Sequence, residues 1–108
     1  MNIETNDKYS VLKPQINFST FYTEFENRLL DFKKRNLILD FSELSITLNE
    51  LLKFESFSEV QMENGISFVV ITKDICLDDI PDEIIVVPTF QEAIDMIEMD
   101  EMTRSLDF

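Results

Sequence analysis

Histidine and tryptophan are absent from this 108-residue sequence, and cysteine occurs once, at position 76. A single cysteine cannot form a disulfide within the chain, and a zinc site built from cysteine and histidine ligands is excluded. The lack of histidine also removes the Ser-His-Asp and Cys-His arrangements of nucleophilic catalysis. Between its apolar neighbours Ile75 and Leu77, Cys76 is expected to be a small buried residue rather than a functional thiol.

Glycine occurs once and proline three times, so long low-complexity segments are not expected. No apolar run is long enough to span a bilayer, and the first residues lack the basic and apolar regions of a signal peptide. The sequence therefore predicts a cytoplasmic protein with no membrane partner. We expect no cofactor and no bound metal, because a solvated acidic loop explains the carboxylates of residues 78–83 better than a metal site does.

Basic residues are few, nine lysines and arginines against 22 aspartates and glutamates, which gives a net charge of −13. The imbalance is greatest in residues 74–108, which contain eleven acidic side chains and one basic side chain. Such a surface repels phosphate backbones, so direct nucleic-acid binding is not expected. It favours a protein partner that is basic or that contacts an apolar patch, although a solvated, solubilising face explains the same charge.

The apolar residues follow alternating strand and helix patterns. Spacings of three and four predict a helix over about residues 19–35, and Thr47 and Glu50 form a capping box that predicts a second helix, which Gly65 ends. A second capping box, at Thr89 and Glu92, predicts a final helix that extends to about Leu106. Short β-branched and apolar runs predict four strands, at residues 8–13, 37–41, 66–71 and 84–87.

The predicted order is β-α-β-α-β-(short α)-β-α, in which residues 73–83 have room for a helical turn or two. Strands that alternate with helices indicate a mostly parallel or mixed four-stranded sheet with helices packed on it. We therefore expect a single α/β domain over residues 1–108, with residues 1–7 frayed.

Three segments resemble STAS domains, the fold of bacterial anti-sigma factor antagonists. Residues 37–44, Leu-Ile-Leu-Asp-Phe-Ser-Glu-Leu, are similar to the family's "vvlDls" segment, and residues 66–71 are similar to its next strand. Residues 86–95 resemble its final strand and "eeAl" helix. The ending, from residue 87, resembles small acidic STAS-like proteins encoded beside ribonuclease Z. Ribonuclease Z itself binds two zinc ions with a histidine-rich motif, which this chain lacks.

The resemblance implies a regulatory protein that binds an anti-sigma-type protein, or alternatively a companion of ribonuclease Z. In STAS proteins that are switched by phosphorylation, a serine is modified in a "DSSG" motif after the strand. The family pattern places Leu48 at the aspartate and Asn49 at that serine, so this chain is expected to lack the usual phosphoserine switch. The family also commonly begins with a hairpin, whereas the sequence predicts one strand before the first helix.

Two sets of residues are candidates for partner binding. The first set lies in the turn after the second predicted strand and consists of Ser42, Ser45, Thr47 and Asn49. Ligands and partners of α/β proteins commonly bind at such strand ends. Ser45 is also a candidate for phosphorylation, whereas capping alone explains Thr47. The second set is a line of methionines in the last helix, Met96, Met99 and Met102, which continues toward Leu106 and Phe108.

Methionine side chains suit surfaces that repack against partners, so the last helix is a candidate second contact or a homodimer interface. The alternative is that the helix folds over the sheet with its methionines in the core. The favoured function is a non-enzymatic protein-interaction module. A second hypothesis is a small hydrolase or metal-dependent enzyme that uses the carboxylates of residues 78–83, although their spacing is not that of a calcium loop. A third hypothesis is a structural protomer that dimerises through its last helix.

Overall fold

The computed structural model describes residues 1–106, so Phe108, which the sequence adds to the methionine line, lies outside the described residues. In chain order the elements are β1 Asn2–Thr5, β2 Tyr9–Lys13, α1 Phe18–Asn27, α2 Leu29–Phe32, β3 Asn36–Asp40, α3 Leu48–Leu52, α4 Glu55–Glu63, β4 Phe68–Ile71, a 3-10 helix Leu77–Asp79, β5 Ile85–Val87 and α5 Phe90–Leu106.

The five strands form one mixed sheet in the order β1-β2-β3-β4-β5. β1 pairs with β2 in antiparallel orientation, and every later pair is parallel. The predicted α/β class with a mostly parallel sheet is confirmed. The predicted number of four strands is wrong, because β1 adds a fifth at one edge.

β1 lies within residues 1–7, which the sequence predicts to be frayed. The hairpin turn is fixed by Asn6, whose side-chain oxygen accepts the backbone N–H groups of Lys8 and Tyr9 at 2.8 and 2.9 Å. The guanidinium of Arg35, the residue before β3, donates to the Asn6 carbonyl as well. A polar strand at a sheet edge shows little apolar periodicity, and only Ile3 of β1 packs against the core.

Two predicted long helices are each divided in two. The helix predicted over residues 19–35 breaks at Arg28, which ends α1 and begins α2 with φ −116° and ψ 22°. The apolar spacing runs through this break because the rings of Phe25 and Phe32, one on each side, still stack 5.6 Å apart. The helix predicted from Leu48 breaks before Phe54, so that α3 and α4 are separate.

The helices form two layers, one on each face of the sheet. Helices α1 to α4 enclose a phenylalanine-rich core on one face, and Phe54 contacts five other rings there. On the other face α5 packs through Ala93 and Ile97 against Ile38 and Val69 of the central strands. The strands β2 to β4 are therefore covered on both faces, as their continuous apolar runs predict.

The expected helix ends are confirmed. Thr47 and Glu50 form a complete capping box, and the Thr89 hydroxyl accepts the Glu92 backbone N–H at 3.2 Å. Gly65 follows α4 with φ +70°, a backbone conformation that favours glycine over every other residue. The short 3-10 helix over Leu77–Asp79 agrees with the helical turn expected in residues 73–83.

Candidate protein-interaction site

The candidate site begins at Asp40, the last residue of β3, whose side chain is almost entirely buried. One carboxylate oxygen accepts the Ser42 backbone N–H at 2.9 Å, and the other lies 3.6 Å from the Lys13 ammonium at the end of β2. A buried carboxylate with two such partners fixes the direction in which the chain leaves the sheet. Asp40 therefore has a positioning role, which its place in an apolar strand pattern does not reveal.

Apolar side chains of the turn that follows pack into the core and hold the turn in place. Phe41 and Ile46 are buried in the phenylalanine-rich core under helices α1 to α4. The Phe41 N–H also donates to the Ile71 carbonyl of β4 at 2.9 Å. Leu44 is half-buried between them. These contacts leave Ser42 and Ser45 exposed on a turn whose backbone is held at both ends.

The predicted site residues of this turn lie together. We call residues 42–49 the β3–α3 tip. The Thr47 hydroxyl accepts the Glu50 N–H at 3.1 Å, and the Glu50 carboxylate accepts the Thr47 N–H at 2.9 Å. Thr47 therefore caps α3, as its spacing from Glu50 predicts. Within the described residues the Ser45 side chain makes no hydrogen bond, so its hydroxyl is free for a partner.

α3 extends the tip with polar and apolar side chains side by side. Asn49 is exposed, Leu48 is half-buried and Leu52 is exposed, whereas Leu51 points into the core. An exposed amide flanked by partly exposed leucines offers hydrogen bonding and apolar area in one small surface. Asn49 is therefore accessible from solvent.

The three methionines of α5 do not join the tip. Met96 packs against the core cluster under α5, whereas Met99 and Met102 are 63% and 65% exposed. Next to Met102, Glu101 accepts a hydrogen bond from the Asn36 amide at the first residue of β3, at 3.0 Å. The tip follows the last residue of β3 and packs on the other face of the sheet. The methionine line and the tip are therefore two separate surfaces.

A third surface lies between α1 and α4, and nothing in the sequence pattern predicts it. It is a groove of about 250 Å³ lined in part by Tyr22, Phe25, Lys53 and Val60. The Tyr22 hydroxyl donates to the Lys53 carbonyl at 3.3 Å, and the Lys53 ammonium lies 5.2 Å from the centre of the ring. Burial raises the pKa of Tyr22 above its usual 10.0, and the nearby Glu26 carboxylate raises it further.

The acidic segment of residues 73–83 is exposed at Asp78, Asp79 and Asp82. Among the described residues no group of three or more acidic or cysteine side chains is arranged to hold a metal ion. The expectation that Cys76 is buried is wrong, because Cys76 lies at the start of a 3-10 helix that has no buried residue, and its thiol is exposed.

In comparisons with known proteins, no family model matches this chain and no curated protein matches it. Among the helices that the structure describes, none has the length and apolar character needed to cross a membrane.

Proposed function

We propose that this chain is a non-enzymatic STAS-like module that binds a regulatory protein through the β3–α3 tip and the exposed side of α3. The observation that carries the proposal is the combination of a rigid turn and exposed binding groups. The Asp40 carboxylate and the Thr47 cap hold both ends of the turn, while Ser45 and Asn49 face solvent. A surface that is ordered before binding loses little conformational entropy when a partner docks.

The topology supports the family part of the proposal. STAS domains commonly begin with a hairpin, and β1 and β2 form an antiparallel hairpin before the parallel strands. The tip follows the strand that resembles the family's "vvlDls" segment, and in phospho-switched members of the family a partner kinase modifies a serine after that strand. A likeness in topology concerns the fold, so the choice of function rests on the tip itself.

The resemblance favours an anti-sigma-type regulator as the partner, with ribonuclease Z as the rival. Position 49 carries an amide where the phospho-switched members of the family carry the modified serine, so we propose that binding does not depend on phosphorylation at that position. Ser45 is the candidate for modification; capping occupies the Thr47 hydroxyl, whereas Ser42 and Ser45 are both exposed.

The test is capture of partners from the cytosol of the source organism by the full chain, with matched variants. Asn49→Arg adds a bulky charge at the tip, and Asn64→Arg adds the same charge to an exposed asparagine beyond the end of α4. Ser45→Arg and Ser105→Arg form a second matched pair of exposed serines. We expect one regulatory protein to be retained by the chain and by both controls and to be lost from both tip variants.

Equal capture by all four variants would contradict the proposed site. Capture of ribonuclease Z through the tip would keep the site and replace the favoured partner with its rival. Modification of Ser45 in cells, followed by loss of the captured protein, would establish a switch at the tip that differs from the family's usual one.

A further inference from the structure

The last strand of the sheet, β5, has an open edge. In the part of the chain that the structure describes, β5 pairs with β4 alone. The Thr72 N–H donates to the Val87 carbonyl at 3.1 Å, so the backbone groups of Val87 face β4. Because successive residues of a strand present their backbone groups to opposite sides, the N–H and C=O of Val86 face away from the sheet. The Ile84 N–H donates to the Pro81 carbonyl at 3.1 Å and Pro88 has no N–H, so the unpaired N–H and C=O of Val86 are the point at which an added strand can pair with this edge.

Apolar side chains line a groove along this edge. The groove is about 360 Å³ in volume and contains all three β5 residues, with Leu77 and Ile80 from the preceding segment and Met96 from α5. Leu77 is 70% exposed, although it is one of the largest apolar side chains of that segment. Met99, one helical turn after Met96, extends the same side of α5 into solvent. The groove therefore offers apolar contacts beside unpaired backbone groups.

The rim of the groove is acidic. Asp82 lines it directly, and the neighbouring Asp78 and Asp79 are exposed on the 3-10 helix. The thirty residues from Asp74 to Thr103 contain ten acidic side chains and no lysine or arginine. Few of these charges are neutralised within the protein, since the three ion pairs of the described residues all lie before residue 41.

This charge decides between the classes of molecule that could cover the edge. A second copy of the chain would bring an equally acidic rim against the first, and like charges in such close contact are repulsive. A nucleic acid would meet the same repulsion from its phosphates. An extended protein segment with alternating apolar and basic side chains matches the edge, the groove and the rim together.

We propose that β5 binds an extended, basic segment of a partner protein, which adds to the sheet as a strand beside Val86 and places apolar side chains in the groove. This binding site is distinct from the β3–α3 tip and lies beyond the function proposed above. It gives the exposed Leu77 and the uncompensated acidic charge of this region a single role. β1, at the other edge of the sheet, offers three exposed polar residues and only Ile3 as an apolar contact, so it serves as an internal control.

The test is a titration of the ¹⁵N-labelled full chain, followed by NMR, with a peptide of about nine residues that alternates lysine with valine, a length typical of a strand. A second peptide has glutamate in place of every lysine. We expect the lysine peptide to bind with a dissociation constant below about 1 mM, to shift the signals of Ile85–Val87 and Leu77, and to bind more weakly as salt is added. The glutamate peptide and the signals of β1 should show no change.

A matched pair of variants locates the site. Leu77→Lys places a charge in the groove, and Leu30→Lys makes the same change at a leucine of α2 that is 75% exposed. Leu77→Lys should weaken binding about tenfold or more, because a leucine side chain that becomes buried on binding contributes at least that factor. Leu30→Lys should leave the affinity unchanged. Alkylation of the exposed Cys76 thiol, next to Leu77, should slow when the lysine peptide is bound.

Several results would overturn the proposal: no shift at millimolar lysine peptide, shifts confined to another surface, equal binding of the two peptides, or equal affinity of the two leucine variants. Shifts at β5 that depend on protein concentration without any peptide would assign the edge to a second copy of the chain, contrary to the proposal.

Discussion

Replacing Phe54 with alanine removes the central ring of the phenylalanine-rich core, which lies between the sheet and helices α1 to α4. Phe54 is fully buried at the junction of α3 and α4. Its ring centre lies 5.1 Å from that of Phe25 and 5.3 Å from that of Tyr22, with Phe18, Phe41 and Phe68 within 6.3 Å. The substitution therefore opens a cavity that is bordered by α1, β4 and the root of the β3–α3 tip.

The expected cost follows from these contacts. Truncating a buried phenylalanine costs about 3–5 kcal/mol, from lost transfer free energy and from the cavity that remains. Each favourable ring pair adds about 0.5–1.5 kcal/mol, and rings packed this closely leave little room for collapse, so we expect a value at the upper end of the range. A domain of this size has a total stability of about 5–15 kcal/mol, so the variant should be close to unfolding.

Urea unfolding followed by circular dichroism measures this cost, since the chain has no tryptophan to report it. Phe90→Ala is the control, because that ring is 40% exposed and pairs only with Tyr9, at 6.4 Å, among the described residues. We expect a loss of about 1 kcal/mol or less for the control. A loss below about 2 kcal/mol for Phe54→Ala, or similar losses for both variants, would refute the placement of Phe54 at the centre of the core.

Three further perturbations test other parts of the structure. Thr47→Ala removes the hydroxyl that accepts the Glu50 N–H and should cost about 1 kcal/mol in urea unfolding; an unchanged midpoint would mean that the cap is absent in solution. Gly65→Ala forces a Cβ into the φ +70° conformation and should destabilise by about 1 kcal/mol, because nothing else crowds this position, where the nearest side-chain atom would lie at 3.5 Å; a stabilised variant would refute that backbone conformation. In a Tyr9→Phe background Tyr22 is the only tyrosine, and its absorbance should titrate above pH 10.0, with Glu26→Gln lowering the midpoint. Since the unfolded chain releases this proton first, the contribution of Tyr22 to the free energy of unfolding should be fully present below pH 10 and be lost as the pH rises through the raised pKa; an increase in that contribution above pH 10 would contradict the burial of Tyr22.

The parts of the fold that could be predicted are those written in local apolar patterns. The runs at residues 37–41 and 66–71 identify two central strands, because a parallel strand covered on both faces has apolar residues on both. Thr47 with Glu50 and Gly65 identify a helix start and a helix end, because capping and positive φ depend on single residues.

The parts that could not be predicted depend on tertiary contacts. β1 is polar, and its position depends on pairing with β2. The turn between β1 and β2 is held by the Arg35 guanidinium, which donates to the carbonyl of Asn6, 29 residues earlier in the chain. The break at Arg28 leaves the apolar spacing intact, since Phe25 and Phe32 pack together across it.

The candidate site also has parts that the local sequence predicts and parts that depend on tertiary contacts. Ser42, Ser45 and Asn49 follow from their position after a strand, but the role of Asp40 depends on Lys13 from another strand. The methionine line separates into the packed Met96 and the exposed Met99 and Met102, because the sheet covers only one side of α5.

Photo-crosslinking in living cells tests binding through the β3–α3 tip most directly. A photoreactive amino acid replaces Ser45 in one variant and Ser105, an exposed serine near the end of α5, in the other. Illumination should join the variant at position 45 to one specific protein and leave the variant at position 105 without that product. Covalent products of equal yield at both positions, or a product at position 105 alone, would show that the partner does not dock at the tip.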